Sequence, residues 1–403
     1  MSGPLAGLRV LDLGTRIAAP FCAGLLGEQG AEVIKIEQPG RGDFMRDIGP
    51  FASDNGGMDY SLFWAVEGRG RKSVTLDLRQ LAGCDLVRGL AAQADVLCEN
   101  FRPGTLERWG IAPADLDPRL VTVRISAFGQ DGPYAARPGL DRLGIGYGGL
   151  LNLTGYPDRP PVRPGVTTSD YLTGTFAAQA AVAALYRRDA GRPAPTNQGA
   201  VIDAALYGSV LRILEWTIAV YDRLGTVRQR EGNRLANSAP LDNYPTADAK
   251  FVCLVAGSDT NFARLCAAME RPDLVDDSRF ATLAERASRS DEINGIVAAW
   301  TSQRTAVEVE ERAIAHDVPV ATAYTAADIV GDPHMAARHD LVTVDDPVMG
   351  AVKQQAPFPR FVGEPSSVPT GAPRLGEHTR GVLTTLLGLS PAQLDRLAAD
   401  RVI

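Results

Sequence analysis

Asp170 sits where a carboxylate can do one of two jobs. Ahead of it lies a rigid Pro161-Val162-Arg163-Pro164-Gly165 turn followed by Val166-Thr167-Thr168-Ser169; behind it runs an alanine-rich apolar stretch over residues 176–185. Alanine is a strong helix former, and a stretch apolar all round predicts a helix buried on most sides. Arg187 and Arg188 suit the negative end of its dipole, and Gly191 supplies a stop. Asp170 thus heads a buried helix, a position expected to hold the carboxylate ionised. Ser169 and Asp170 are also preferred capping types, and local sequence alone favours a cap over catalysis. All four histidines (His316, His334, His339, His378) lie late in the chain, so chemistry before them must run without imidazole.

The other candidate side chains are cations and small residues near predicted strand ends: Arg16, Lys72, Arg79, Arg102, Arg108 and Arg137. Taken singly, such residues belong to a solvated surface. Together they suit a ligand carrying phosphates and an adenine, since Arg grips phosphate in bidentate fashion and stacks on rings.

The elements that would position these residues follow an α/β alternation. Residues 8–13 (LRVLDL) predict a strand, 18–29 a helix ended by Gly30, and 32–37 (EVIKIE) a second strand. This βαβ unit ends its second strand on an acid, as a dinucleotide fold does. The loop Gly14-Thr15-Arg16-Ile17-Ala18-Ala19-Pro20 lacks the G-x-G-x-x-G fingerprint, which argues against a nicotinamide cofactor. Strands at 73–76, 96–98 and 120–126 and a helix at 79–93 continue the pattern, giving a parallel sheet with ligands expected beyond the strands' carboxyl ends. Residues 144–149 (GIGYGG) read as a flexible turn, 189–198 as a loop and 229–237 as a polar linker. A second α/β pattern starts at Lys250, with a strand at 251–255 and helices near 261–269, 290–300 and 305–316. A Pro-rich, strand-like passage over 345–373 precedes two closing helices near 380–387 and 391–399.

A chain of 403 residues predicts two domains. With 45% hydrophobic and 22% charged residues it reads as globular, and a net charge of -7 argues against nucleic acid as a partner. No long apolar run predicts a membrane span, and the first residues do not read as a signal peptide, so a cytoplasmic protein is expected. The five scattered cysteines fit reduced thiols buried as small hydrophobes, with no metal site.

In order along the chain, several motifs together resemble the class III CoA-transferases, the family of formyl-CoA transferase and carnitine CoA-transferase. They are GLRVLDLG from Gly7, LLGEQGAEVIKIE with Gly42-Asp43, KSVTLDLR from Lys72, ADVLCENFRPGTLERWGI from Ala94, and SAFGQDGPYAARPGLD from Ser126. Pro164-Gly165 with Asp170, GNRLANSAPLDNYPTADAKFV from Gly232, GDPHMAAR from Gly331 and LGEHTRGVL from Leu375 complete the set. The resemblance implies a large Rossmann-like domain from residues 1–224 and 331–403, a smaller α/β domain inserted at 225–330, and an interlocked homodimer of ring-shaped chains. It implies that Asp170 attacks an acyl-CoA thioester, forming a mixed anhydride and then an aspartyl-CoA thioester. It further implies that coenzyme A enters as the acyl-CoA substrate and is lined by Arg16, Ile17, Leu76, Arg79, Asn100, Phe101, Arg102, Arg108 and Arg137.

Departures narrow the expectation. Formyl-CoA transferase carries glutamine where this chain has Ile17, and its mobile glycine-rich loop has no counterpart here. The α-methylacyl-CoA racemases, which share the fold, use a Gly-His-Asp triplet that reads Gly139-Leu140-Asp141 in this chain; leucine cannot take a proton. A racemase-like enzyme and an inactive CoA-binding subunit of a hetero-complex remain as alternatives. Small residues before Asp170 and the nearby arginines suit short or dicarboxylic acyl groups such as succinyl.

Overall fold

The structure, a computed structural model, describes residues 3–53, 59–191, 194–363 and 368–403. The expected loop at 189–198 and the passage at 345–373 therefore fall partly outside the described residues. Six parallel strands form the main sheet: β1 (Arg9–Asp12), β2 (Glu32–Glu37), β3 (Arg71–Thr75), β4 (Val96–Glu99), β5 (Val121–Ser126) and β6 (Ala200–Ala205). Their spatial order is β3-β2-β1-β4-β5-β6, so the chain winds outward from β1 in one direction and then restarts beside it at β4. That reversal opens a crevice at the strands' carboxyl ends, where sheets of this order take their ligands.

Strand residues alternate between two cores. Val10, Val33, Val96, Val121 and Val123 face one side, packed by α1 (Ala18–Glu28) and α4 (Thr168–Ala190). Leu11, Ile34, Ile36, Val74 and Leu97 face the other, covered by α2 (Leu81–Ala91) and the two closing helices, α9 (Thr379–Leu387) and α10 (Pro391–Ala399). Helices on both faces explain why these strands are almost continuously apolar. Between α2 and α4 lies α3 (Asp141–Tyr147), and α5 (Leu206–Arg212) follows β6. The chain's end is tied in: the Thr75 N–H donates to the Thr379 hydroxyl at 3.0 Å, and the Asp77 N–H to the Val402 carbonyl at 2.8 Å.

The chain forms two compact units. One comprises Met1–Leu150, Pro164–Ile218 and Ala336–Ile403; the other comprises Leu151–Arg163 and Ala219–Met335. The inserted unit thus begins at 219 rather than 225 and recruits a segment just upstream of Asp170. Its sheet is antiparallel, with β8 (Phe251–Val255) between β7 (Leu241–Pro245) and β9 (Val320–Thr322). Helices α6 (Asp259–Ala268), α7 (Ser290–Thr301) and α8 (Ala306–Ala315) accompany that sheet. The expected linker at 229–237 is packed, not free: the Arg230 guanidinium donates to the carbonyls of Asn152, Tyr156 and Arg159. Strand pairing at the late passage starts earlier than expected, in a hairpin of Leu341–Asp346 with Gly350–Gln355.

Two local expectations fail for physical reasons. Residues 144–149 do not form a flexible turn; most belong to α3, where a Cβ on Gly144 would meet the Ser169 Oγ at 2.6 Å. That glycine serves close helix packing. Helix α4 is not buried on most sides, since Thr175, Phe176, Gln179, Ala183, Tyr186 and Arg187 form an exposed stripe. Of the cysteines, Cys253 is exposed and the other four are buried.

Candidate active site at the carboxyl ends of the strands

The first turn of α4 is fixed from two sides. The Ser169 N–H and hydroxyl both donate to the Asp141 Oδ1, at 2.8 and 3.0 Å, and the hydroxyl also reaches the Asp141 carbonyl at 3.1 Å. On the α1 side, a Cβ on Gly174 would lie 2.8 Å from the Ala18 carbonyl oxygen, so the two helices touch backbone to backbone. The Phe21 and Tyr171 rings meet edge to face at 4.7 Å, and the Tyr171 hydroxyl donates to Glu67 at 2.9 Å. Asp170 is the third residue of this braced turn.

Its carboxylate does not cap the helix. Thr167 occupies the cap position without a side-chain hydrogen bond, and among the described residues no donor bonds the Asp170 oxygens. Burial, with the Asp141 charge adding to it and the Arg16 charge opposing it, raises the Asp170 pKa from 3.8 to about 7. The expectation of a firmly ionised carboxylate is therefore corrected. Desolvation outweighs the helix dipole, and a second carboxylate stands nearby. An unpartnered carboxylate with a raised pKa is a better nucleophile than one held by several donors, and stays partly ionised near neutral pH.

The loop after β1 is the second component. Arg16 adopts φ 66°, a left-handed conformation rare for a side chain with a Cβ. The Arg16 N–H donates to the Asp43 Oδ1 at 3.1 Å. Beside it Asn100, from the loop after β4, accepts the Thr15 N–H at 2.8 Å and donates to the Thr15 carbonyl at 2.7 Å. That two-way clamp joins the loops on either side of the crevice. Beneath it lies a buried charge cluster: the Lys35 ammonium donates to the Gly14 carbonyl and pairs with Asp43 at 2.9 Å and Asp12 at 3.5 Å, while Arg71 pairs with Asp12 at 3.1 Å. Burial would lower the Lys35 pKa, but Asp12, Asp43 and Glu37 outweigh it, and the net shift is upward. Glu37, the acid that ends β2, is held by Arg46 through two bonds of 2.8 Å, by the Ser73 hydroxyl at 2.6 Å and by the Asp43 N–H at 2.8 Å. In a dinucleotide site that position binds a ribose; here its lone pairs are taken.

Of the remaining sequence candidates, Lys72 lies at the amino end of β3, paired with Glu32 and away from the strands' carboxyl ends; the others follow carboxyl ends of strands, with differing exposure. Arg102, Arg108 and Arg137 are exposed cations. Arg108 donates to the Thr105 hydroxyl at 2.9 Å, and Arg137 stacks over Tyr134 at 3.4 Å. Arg79 is exposed but forks onto Asp77 at 2.8 and 3.0 Å. Phe101 packs edge to face on Trp109 at 5.0 Å. Ile17 and Leu76 are buried, Leu76 at 1% exposure inside the second core, so any approach to a ligand there is through backbone. Sequence reasoning missed Asp141 and Asp43 as parts of the site. Each had a signal: Asp141 stood in a triplet noted only for its missing histidine, and Asp43 in a Gly-Asp motif at the end of a strand-loop. Among the described residues no group of three or more His, Cys, Asp or Glu could hold a metal, and no helix is long and apolar enough to cross a membrane.

The candidate site thus combines the half-buried Asp170 carboxylate with the exposed Arg16 of the loop after β1. The chain belongs to CoA-transferase family III, whose profile it matches over residues 5–379. It is 42% identical to the succinyl-CoA–D-citramalate CoA-transferase of Chloroflexus aurantiacus, over 99% of this chain and 98% of the relative. It is 40% identical to the β subunit of succinyl-CoA–L-malate CoA-transferase from the same organism, with the same coverage. The crystal structure of a CAIB/BAIF family protein from Brucella suis superposes with a TM-score of 0.85 at 32% identity, covering 96% of this chain and 100% of that one. The protein is thus a family III CoA-transferase, an enzyme whose substrates are CoA thioesters.

Proposed function

We propose that the protein moves CoA from a short dicarboxylic acyl-CoA, with succinyl-CoA as donor, to a carboxylic acid, through covalent intermediates on Asp170. The Asp170 carboxylate adds to the thioester carbonyl; the carbon–sulfur bond breaks and CoA thiolate leaves, giving an acyl–aspartyl anhydride. The thiolate then attacks the aspartyl carbonyl, releasing the donor acid and leaving an aspartyl-CoA thioester. The acceptor carboxylate reverses the sequence. No net proton transfer is required, so the lack of an imidazole costs nothing. The observation that carries this reading is the braced Asp170 carboxylate, free of hydrogen-bond donors among the described residues, in a chain of this family. The succinyl-CoA named for the relatives supports the donor. Arg102, Arg108 and Arg137 are proposed to hold the phosphates and adenine of CoA, with Asn100 and Phe101 beside the pantetheine and Arg16 nearest the thioester.

Two copies are proposed to form an interlocked homodimer. Exposed apolar side chains at Leu140, Leu143, Tyr147, Phe176, Tyr186 and Val201 support a protein partner, since monomers rarely leave so many uncovered together. One relative is named as a subunit, which supports a second reading with an unlike partner chain. Exchange by the purified chain alone decides between the two.

The test is a trapping experiment. Incubation with succinyl-CoA and hydroxylamine should modify the peptide containing Asp170, and Asp170→Ala should abolish exchange while CoA still binds. Wild-type exchange by that variant would end the assignment.

A further inference from the structure

We propose that Arg16 receives the free carboxylate of the dicarboxylic acyl group or acid, and so selects dicarboxylic over neutral substrates; this rests on the reading of Asp170 as nucleophile. Arg16 is exposed, and among the described residues its guanidinium has no acidic partner. Its guanidinium carbon stands over the Phe44 ring, 4.1 Å from the centroid, a contact that fixes a cation without neutralising it. The backbone beneath is held in a left-handed conformation by the Asp43 carboxylate, and the preceding residue is clamped from both sides by Asn100. Strain of this kind persists where surroundings over-determine it. The result is a planar donor fork held in advance for a planar anion.

Position then selects the anion. Arg16 lies just before Ala18, whose carbonyl touches Gly174 one turn beyond Asp170 on α4. Its charge acts on the Asp170 carboxylate and opposes the effect of Asp141. When the thioester carbon is at Asp170, the diphosphate of CoA is removed by the whole pantetheine arm. The far carboxylate of a short dicarboxylic acyl group lies only a few bonds away, on the side of the reacting carbon opposite the sulfur. A guanidinium that acts on Asp170 is therefore matched to the acyl tail and not to the phosphates.

The experiment compares succinyl-CoA with butyryl-CoA, a neutral acyl-CoA of equal chain length, in wild type, Arg16→Gln and Arg16→Lys. The readouts are kcat/KM for exchange, and in the Asp170→Ala background the Kd of each acyl-CoA and of CoA itself. The expected result is a preference for succinyl-CoA in wild type that falls roughly 10- to 100-fold in Arg16→Gln, with partial recovery in Arg16→Lys and an unchanged Kd for CoA. Because losing the Arg16 charge alters Asp170 equally for both substrates, the ratio is diagnostic. Equal losses for both with weakened CoA binding would make Arg16 a phosphate contact and overturn the proposal. Equal losses with CoA binding intact would reduce it to an electrostatic neighbour of Asp170, which also overturns it. Failure of the nucleophile reading has a separate signature, exchange surviving in Asp170→Ala.

Discussion

At Asp170 two charges of opposite sign compete, and pH separates them. The nucleophile must be ionised, so kcat/KM should rise with pH through about 7, where the Asp170 carboxyl titrates. Asp141→Asn preserves an acceptor for Ser169 but removes a negative charge, so the rise should move to lower pH; Arg16→Gln should move it higher. A pH–rate profile of the three proteins checks both directions. Stability carries the same signature with its own sign. Because the folded-state pKa is raised above 3.8, the Asp170 contribution is most favourable below the unfolded value and is lost as pH climbs through about 7. Asp170→Asn should therefore stabilise the fold at pH 8, by on the order of 3–4 kcal/mol at most, and leave it unchanged near pH 3.5. Thermal melts across that range measure it. The sequence showed where Asp170 stands, at the head of a helix, but not its charge state. That depends first on burial and then on Asp141, which is 29 positions upstream and arrives only through the contact of α3 with α4.

Helices α1 and α4 pack closely at Gly174, against the Ala18 carbonyl and the Phe21 ring, and this contact sets how close the Arg16 loop comes to Asp170. A methyl group at Gly174 would press on a backbone carbonyl that cannot swing aside. Gly174→Ala should lose about 1–3 kcal/mol, overriding the propensity gain, and should slow exchange. Gly295, exposed within α7 with nothing within 4 Å of its would-be Cβ, is the control: Gly295→Ala should gain up to about 1 kcal/mol. Denaturant titrations of both variants test the pair. Strands of both sheets were legible because apolar alternation and turn residues mark them locally, as at Glu32–Glu37 in the main sheet and Phe251–Val255 in the inserted unit. The glycines of α3 were misread for an equally local reason. A glycine cluster looks the same whether it frees the backbone or admits a neighbour, and Ser169 is the neighbour that decides.

Across the whole molecule, the chain enters its second unit at Leu151 and returns to the first at Pro164, so the turn that carries Asp170 follows directly on a domain crossing. No sequence pattern announces the 151–163 segment as part of the inserted unit; it joins through the Asn152, Tyr156 and Arg159 carbonyls, which accept from Arg230, and through the Tyr156 hydroxyl, which accepts from Asn233. The proposed interlocking has a solution consequence. Linked rings cannot trade partners without unfolding, so differently tagged dimers mixed at low concentration should yield no mixed species on native mass spectrometry over days. Ready exchange would replace interlocking with ordinary surface association. One further consequence follows from the buried Lys35. Only four residues in the chain carry an ε-amine, and Lys72, Lys250 and Lys353 are open to solvent while Lys35 is sealed beneath the Gly14 carbonyl. Reactive thioesters acylate amines without enzymatic help. This chain handles such thioesters with an overwhelmingly guanidinium surface, and the amine beneath the Gly14 loop is shielded. Acylation at Lys35 would therefore act as a molecular tally of how often the native state has come apart.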